Sequence, residues 1–151
     1  MAPPRSQLDH VRDLHPWTID AIVVLPEHLH MIWTLPANDA SYAQRIRMVK
    51  ALFTTELRNL GVWMRDGSPW QARYWEHTIR DEGDFENHVA YIHFNPVKHG
   101  HAKSVAEWPY SSFHRYVRDG LVPLDWSGGG DVVVAGIDAR EPGCEHPGYG
   151  A

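Results

Sequence analysis

In the stretch "VVLPEHLHMIW", residues 23–33, one leucine separates two histidines, His28 and His30. Side chains alternate across a strand, so residues two apart project from the same face. In an extended segment the two imidazoles lie roughly 6 to 7 Å apart along the chain, and a nitrogen of each can converge on one divalent ion. On its own, His-x-His more often marks a partly exposed polar pair than a ligand set. Several known sites of this kind can be separated here. A metallo-β-lactamase-like site wants an Asp-His directly after the pair, and "HLHMIW" has neither. An amidohydrolase barrel needs roughly 250 residues, and this chain has 151. A carbonic-anhydrase-like zinc site wants a third histidine on a neighbouring strand, a part His77 could take.

The stretch "FENHVAYIHFNPVKHG", residues 85–100, supplies a second group of reactive side chains. At helical spacing Phe85, Val89, Ile92 and Pro96 form one stripe and should face a core. Tyr91 and Asn95 are four apart on the neighbouring face, with His88 one turn before the tyrosine. A tyrosine beside a core stripe is ordinarily packing. Beside a two-histidine metal site a phenol is a nucleophile, and the Asn95 amide could add an oxygen ligand. Tyrosine ionises near pH 10 when unperturbed, so it needs activation, which a nearby divalent ion would aid. Imidazole with an amide oxygen makes a moderately hard site compatible with Mg²⁺ or Mn²⁺.

These residues need elements to hold them. "LDHVRDL" reads as the last turns of a helix, and "WTIDAIVVLP" as a β-branched strand closed by Pro26. "HLHMIWTL" follows after a short "PEH", which predicts an antiparallel hairpin. "SYAQRIRMVKALFTTELRNLG" predicts the clearest helix, with a Ser41–Gln44 capping box, an Ile46, Val49, Phe53, Leu57 and Leu60 stripe, and Gly61 as the C-terminal cap. Arg45, Arg47, Lys50 and Arg58 fall on its other faces, where a solvated role is the ordinary one. "WQARYWEHTIR" alternates and predicts a third strand with Arg73, Trp75, His77 and Ile79 on one face. Asp84 is placed to cap the Tyr91 helix, which Pro96 must end or kink because it lacks an N–H. "EWPYSSFHRYVRDG" predicts a short helix opened by Pro109. Beyond Trp126, Gly- and Pro-rich sequence predicts a loosely ordered tail holding Cys144, the one cysteine.

The formal net charge is −5, which argues mildly against nucleic-acid binding. Yet residues 41–120 carry eleven of the fourteen Lys and Arg but only nine of the nineteen Asp and Glu. The body is therefore slightly basic and can follow a phosphate backbone. Eleven histidines and seven tryptophans suit metal or proton chemistry and either core packing or base stacking. A single cysteine excludes an internal disulfide framework and a Cys-built zinc site. No long apolar run and no signal-peptide core are present, which points to a cytoplasmic protein.

Taken together, "VVLPEHLHMIWTLP", "WQARYWEHTIRDEGDFENHVAYIHFNPVKHG" and "EWPYSSFHRYVRDG" resemble the REP-associated tyrosine transposases. These are relatives of the single-tyrosine insertion-sequence transposases among the HUH (His-hydrophobic-His) nucleases. The likeness runs from about Trp17 to Trp126 in matching order. It implies residues 1–16 as a helix remnant, 17–126 as the transposase domain and 127–151 as a tail. It also implies an α+β fold, a ferredoxin-like antiparallel sheet with packed helices. Family members begin with a further strand, next to the His-pair strand, so the resemblance implies a sheet lacking its first strand and a bared edge beside the site.

For function, the resemblance implies that His28 and His30 bind Mg²⁺ or Mn²⁺, that Asn95 completes the metal site, and that Tyr91 is the catalytic nucleophile. The family cuts single-stranded DNA beside repeat hairpins, forms a 5′-phosphotyrosine link and frees a 3′-hydroxyl that can reverse the step. Arg73, His77, Lys98, His99, Lys103 and Arg115 are expected DNA contacts, each equally readable as surface charge or core. Glu27 could orient an imidazole, and Trp70, Trp75, Trp108 and Trp126 read as core or lid. The protein is expected to act as a monomer or homodimer. Two other readings stay open: a hairpin-binding remnant that does not cut, and a zinc hydrolase built on His28, His30 and His77.

Overall fold

The computed structural model describes residues 5–62, 69–70 and 74–128. Arg73, Cys144 and all but the first two residues of the expected 127–151 tail lie outside them. Helix α1 (Arg5–Leu14) leads into strands β1 (Thr18–Val24) and β2 (Leu29–Thr34). Helices α2 (Tyr42–Asn59), α3 (Glu82–Lys98) and α4 (Phe113–Arg118) follow, with a short 3-10 turn at Val105–Glu107 before α4. Among the described residues the fold is α+β, a two-stranded antiparallel sheet with four packed helices.

The hairpin forms as expected, with Val23 opposite His30 and Val24 opposite Leu29. Leu25 N donates to His28 O at 2.8 Å and closes the turn. His28 therefore lies one residue before β2 rather than within it. A register shift between Ile19 and Ala21 leaves the Asp20 carbonyl outside the ladder. Ala21, Val23 and Leu25 pack with Ile32 of β2 and with Val89 and Ile92 of α3 to form the core. Ala21 and Val23 are alternate residues of β1, continued by Leu25 just beyond it, and Val89 and Ile92 lie on the apolar stripe of α3, so strand period and helix period meet at one interface.

The 105–118 segment seals the other edge of β1. Val24 N donates to Tyr110 O at 2.9 Å and Ser112 N to Ile22 O at 2.8 Å. Trp108 Nε1 donates to Val24 O at 3.0 Å. Arg115 Nη2 donates to the carbonyls of Ile19 and Asp20 at 3.1 and 2.6 Å, and Tyr116 OH to Asp20 O at 3.0 Å. These groups satisfy the carbonyls that the shifted register frees.

Several expectations are corrected. Residues 74–80 form no strand: His77 Nε2 and Arg80 N both donate to Asp84 Oδ2, so the segment bonds to α3 instead of a sheet edge. Asp81, not Asp84, caps α3, its carboxylate accepting from Asp84 N at 2.8 Å. Helix α4 begins after Ser112 rather than at Pro109. Ser41 makes no capping-box bond, because its hydroxyl bonds Asp39 Oδ1 and accepts from Arg45 Nη1. Arg45 is not solvated. It is 1% exposed, pairs with Asp39 through Nη2 to Oδ2 at 2.6 Å, and donates to the carbonyls of His15 and Pro16. That guanidinium ties the start of α2 to the end of α1. Gly61 ends α2 as predicted, at φ +72°, with Val62 N donating back to Leu57 O at 2.9 Å.

Candidate active site

Helix α3 packs on β1 and β2 and carries a polar stripe beside its core stripe. Asp84, His88, Tyr91, Asn95 and Lys98 recur at steps of four, three, four and three. At 3.6 residues per turn they span an arc of only about 80°. His88 and Asn95 of this stripe are buried and Asp84 and Tyr91 partly so, which costs desolvation, and such a stripe signals more than packing. Glu82 and Asp84 in the first turn and Lys98 in the last also suit the helix dipole.

The hairpin delivers its two histidines to this stripe. The His28 and His30 rings meet edge-on with centroids 5.0 Å apart. The His30 ring meets the Tyr91 ring edge-on at 5.4 Å. Lys98 Nζ lies 5.1 Å from the centre of the Tyr91 ring. His99, the C-cap of α3, adds a third imidazole, 5.5 Å from His28. His28, His30, Tyr91, Lys98 and His99, distant in sequence, are thus gathered at one place.

The electrostatics suit lone-pair donation. Burial, then His28, His99 and Lys98, push His30 down to about 4. Burial and His99 also lower His28, against the opposing pull of Glu27. Both imidazoles are therefore neutral at pH 7, the form that binds a cation. Asn95, one turn beyond Tyr91, is fully buried, and neither its Oδ1 nor its Nδ2 has a hydrogen-bond partner among the described residues. An orphaned buried amide costs about 1–3 kcal/mol. Such a group persists where a ligand absent from the protein alone would satisfy it.

The remaining expected residues sit elsewhere. Arg115 is committed to the Ile19 and Asp20 carbonyls. Lys103 lines a cavity of about 650 Å³ with Phe94, Val97 and Trp126. Trp70 packs on α2, its Nε1 donating to Thr54 Oγ1 at 3.0 Å. His77 does not join a three-histidine zinc set with His28 and His30. It donates to Asp84 at 2.8 Å and stacks on His88 with centroids 4.6 Å apart. His77, Asp84 and His88 form a group that could hold a metal ion. Sequence reading missed it, although Asp84 and His88 stand at i, i+4 on one helix face.

The class follows from comparison with known proteins: the chain is a DNA transposase. No protein-family model matches it. It is 47% identical over 126 residues to the REP-associated tyrosine transposase of Escherichia coli (strain K12), covering 82% of this chain and 71% of that protein. It is 42% identical over 140 residues to a putative REP-associated tyrosine transposase of Haemophilus influenzae, covering 87% and 79%. A solved REP-associated tyrosine transposase bound to a REP hairpin superposes with a TM-score of 0.76 at 44% identity, over 91% of this chain and 78% of that one. The chain belongs to the REP-associated tyrosine transposases. Among the described residues, no helix is long and apolar enough to cross a membrane.

Proposed function

We propose that this transposase cleaves and rejoins single-stranded DNA beside a REP-type hairpin, with Tyr91 as nucleophile and His28, His30 and Asn95 as the ligands of Mg²⁺ or Mn²⁺. The observation that carries the reading is the contact of the His30 and Tyr91 rings, which brings a helix-borne phenol to a pair of neutral imidazoles. The orphaned Asn95 amide fits the same donor set, two imidazole nitrogens and one amide oxygen. A bound divalent ion there would neutralise charge on the scissile phosphate. The hairpin partner rests on the solved relative, which holds one.

In this mechanism the Tyr91 oxygen attacks the phosphorus. The O–P bond to tyrosine forms, the P–O3′ bond breaks, the phenol proton is lost and the leaving oxygen is protonated to a free 3′-hydroxyl. The phosphotyrosine conserves the energy of the phosphodiester, so the same 3′-hydroxyl, or another, can attack it and rejoin the strand without ATP. Lys98, beside the Tyr91 ring, offers a cation to the phosphate charge, and the β2–α3 packing fixes the nucleophile before DNA arrives.

The test is incubation with a labelled hairpin oligonucleotide and Mn²⁺. Wild type should form a covalent protein–DNA adduct that Tyr91→Phe lacks. Hairpin binding without any adduct would select a non-catalytic binder instead.

A further inference from the structure

The group at the N-terminal end of the α3 stripe is distinct from the His28–His30 pair and is used by no step above. One ring nitrogen each of His77 and His88 and one carboxylate oxygen of Asp84 all lie within 4.8 Å of one another. Ligand atoms of one cation, at bonds near 2.0–2.2 Å, stand about 3 Å apart, so small adjustments bring three donors to one centre. The carboxylate is 8% exposed, unlike the solvated acidic clusters of a typical surface.

Two details point to a ligand. His88 Nδ1 donates to the Asp84 backbone carbonyl at 2.7 Å. Metal-ligating histidines characteristically donate their other ring N–H in this way, which fixes the tautomer and leaves Nε2 with its lone pair. That Nε2 is buried and has no partner among the described residues, and His88 as a whole is 8% exposed. Asp84 is oriented in turn: Arg80 N donates to its Oδ2 at 2.9 Å, while Oδ1 faces His88 Nδ1 at 3.2 Å. The third donor is the adaptable one. His77 stands on a non-helical segment, stacked 7° from parallel on His88 and on Trp75. It must tilt off that stack to share a cation, and the His88 ring must turn as well, since Nδ1 rather than Nε2 faces the Asp84 carboxylate.

We propose that His77, Asp84 and His88 bind one borderline divalent transition cation, Zn²⁺ fitting best, at a site separate from the His28–His30 pair. Two imidazoles and a carboxylate are a zinc donor set, and they are softer than Mg²⁺ prefers. The cation pins the 74–80 segment, with Trp75, to the first turns of α3.

The experiment uses the full chain carrying His28→Ala and His30→Ala, so the outcome does not depend on the metal site proposed above. Titration with Co²⁺ and Zn²⁺ should show one equivalent bound, with Co²⁺ visible bands of an imidazole–carboxylate site. Adding His88→Gln should abolish them. His77→Ala, at a position outside the helices and strands, should weaken Co²⁺ binding at least about tenfold, since even outer partners of a ligand are worth that much. No Co²⁺ binding by the His28/His30 variant, or binding that is unchanged by His77→Ala, overturns the proposal and leaves the cluster as a hydrogen-bonded clamp.

Discussion

The rings of His30 on β2 and Tyr91 on α3 stand edge to face with centroids 5.4 Å apart. This one contact joins the two halves of the candidate site. It predicts a clean separation in the Tyr91→Phe variant. The phenylalanine ring keeps the edge contact and loses only the hydroxyl, so thermal unfolding and hairpin binding should match wild type while adduct formation falls below detection. A gel-shift titration beside the adduct assay checks this. An adduct that survives in the Phe variant would move the nucleophile elsewhere.

Asn95 gives an opposite pair of effects. Its buried amide lacks partners among the described residues, so Asn95→Leu, close in volume and without polar atoms, should stabilise the metal-free protein by about 1–3 kcal/mol. The same change should remove much of the rise in melting temperature that Mn²⁺ gives wild type, because binding to the native state alone stabilises it. A variant that is less stable without metal and fully responsive to Mn²⁺ would take Asn95 out of the ligand set.

Much of this arrangement is legible from residue spacing. The period of two in "VVLPEHLHMIW" placed both histidines towards one region, and the period of 3.6 in α3 separated Val89 and Ile92 from Tyr91 and Asn95. Both patterns survive because they reflect local geometry plus one buried face. What escaped reading depends on long-range partners. Arg45 looks like any surface arginine on a basic helix, and nothing in its own segment shows that the His15 and Pro16 carbonyls will meet it. The alternation in 70–80 predicts a strand, but a strand needs a partner, and in the described part, 74–80, Asp84 takes the backbone N–H of Arg80 instead. His99 was readable as a surface residue until the hairpin turn brought His28 against it.

The Asp39–Arg45 pair predicts a stability change in acid. The Arg45 guanidinium, then the Ser41 hydroxyl and N–H, hold the Asp39 carboxyl well below its usual 3.8. A carboxyl depressed in the folded state contributes stability that is complete above its unfolded value and is lost as pH falls below it. Asp39→Asn should therefore be clearly less stable than wild type at pH 7, because it leaves a buried guanidinium without its counter-charge. The gap should narrow below about pH 3.8, because the unfolded wild-type chain then takes up a proton that the folded carboxylate does not. Urea midpoints at pH 7 and pH 3 measure the gap, and an equal gap at both would contradict the pairing.

Ser112 tests how the site's scaffold is braced from behind. Its Oγ accepts from Ile22 N at 2.9 Å and shares a 2.8 Å hydrogen bond with His93 Nε2. One hydroxyl thus links β1 to α3 on the side away from Tyr91, since His93 is two residues further round the helix. Ser112 is 7% exposed and His93 2%, so water cannot readily replace the lost partner. Ser112→Ala leaves a backbone N–H and an imidazole nitrogen unsatisfied together and should cost about 1–3 kcal/mol. Ser112→Cys retains a weak donor of similar size and should recover part of that loss. Because the brace sets how α3 lies against β2, the alanine variant should also slow adduct formation while leaving the midpoint of the Mn²⁺ dependence in place. A shifted Mn²⁺ midpoint with unchanged stability would instead place Ser112's influence on the metal ligands rather than on the packing of α3.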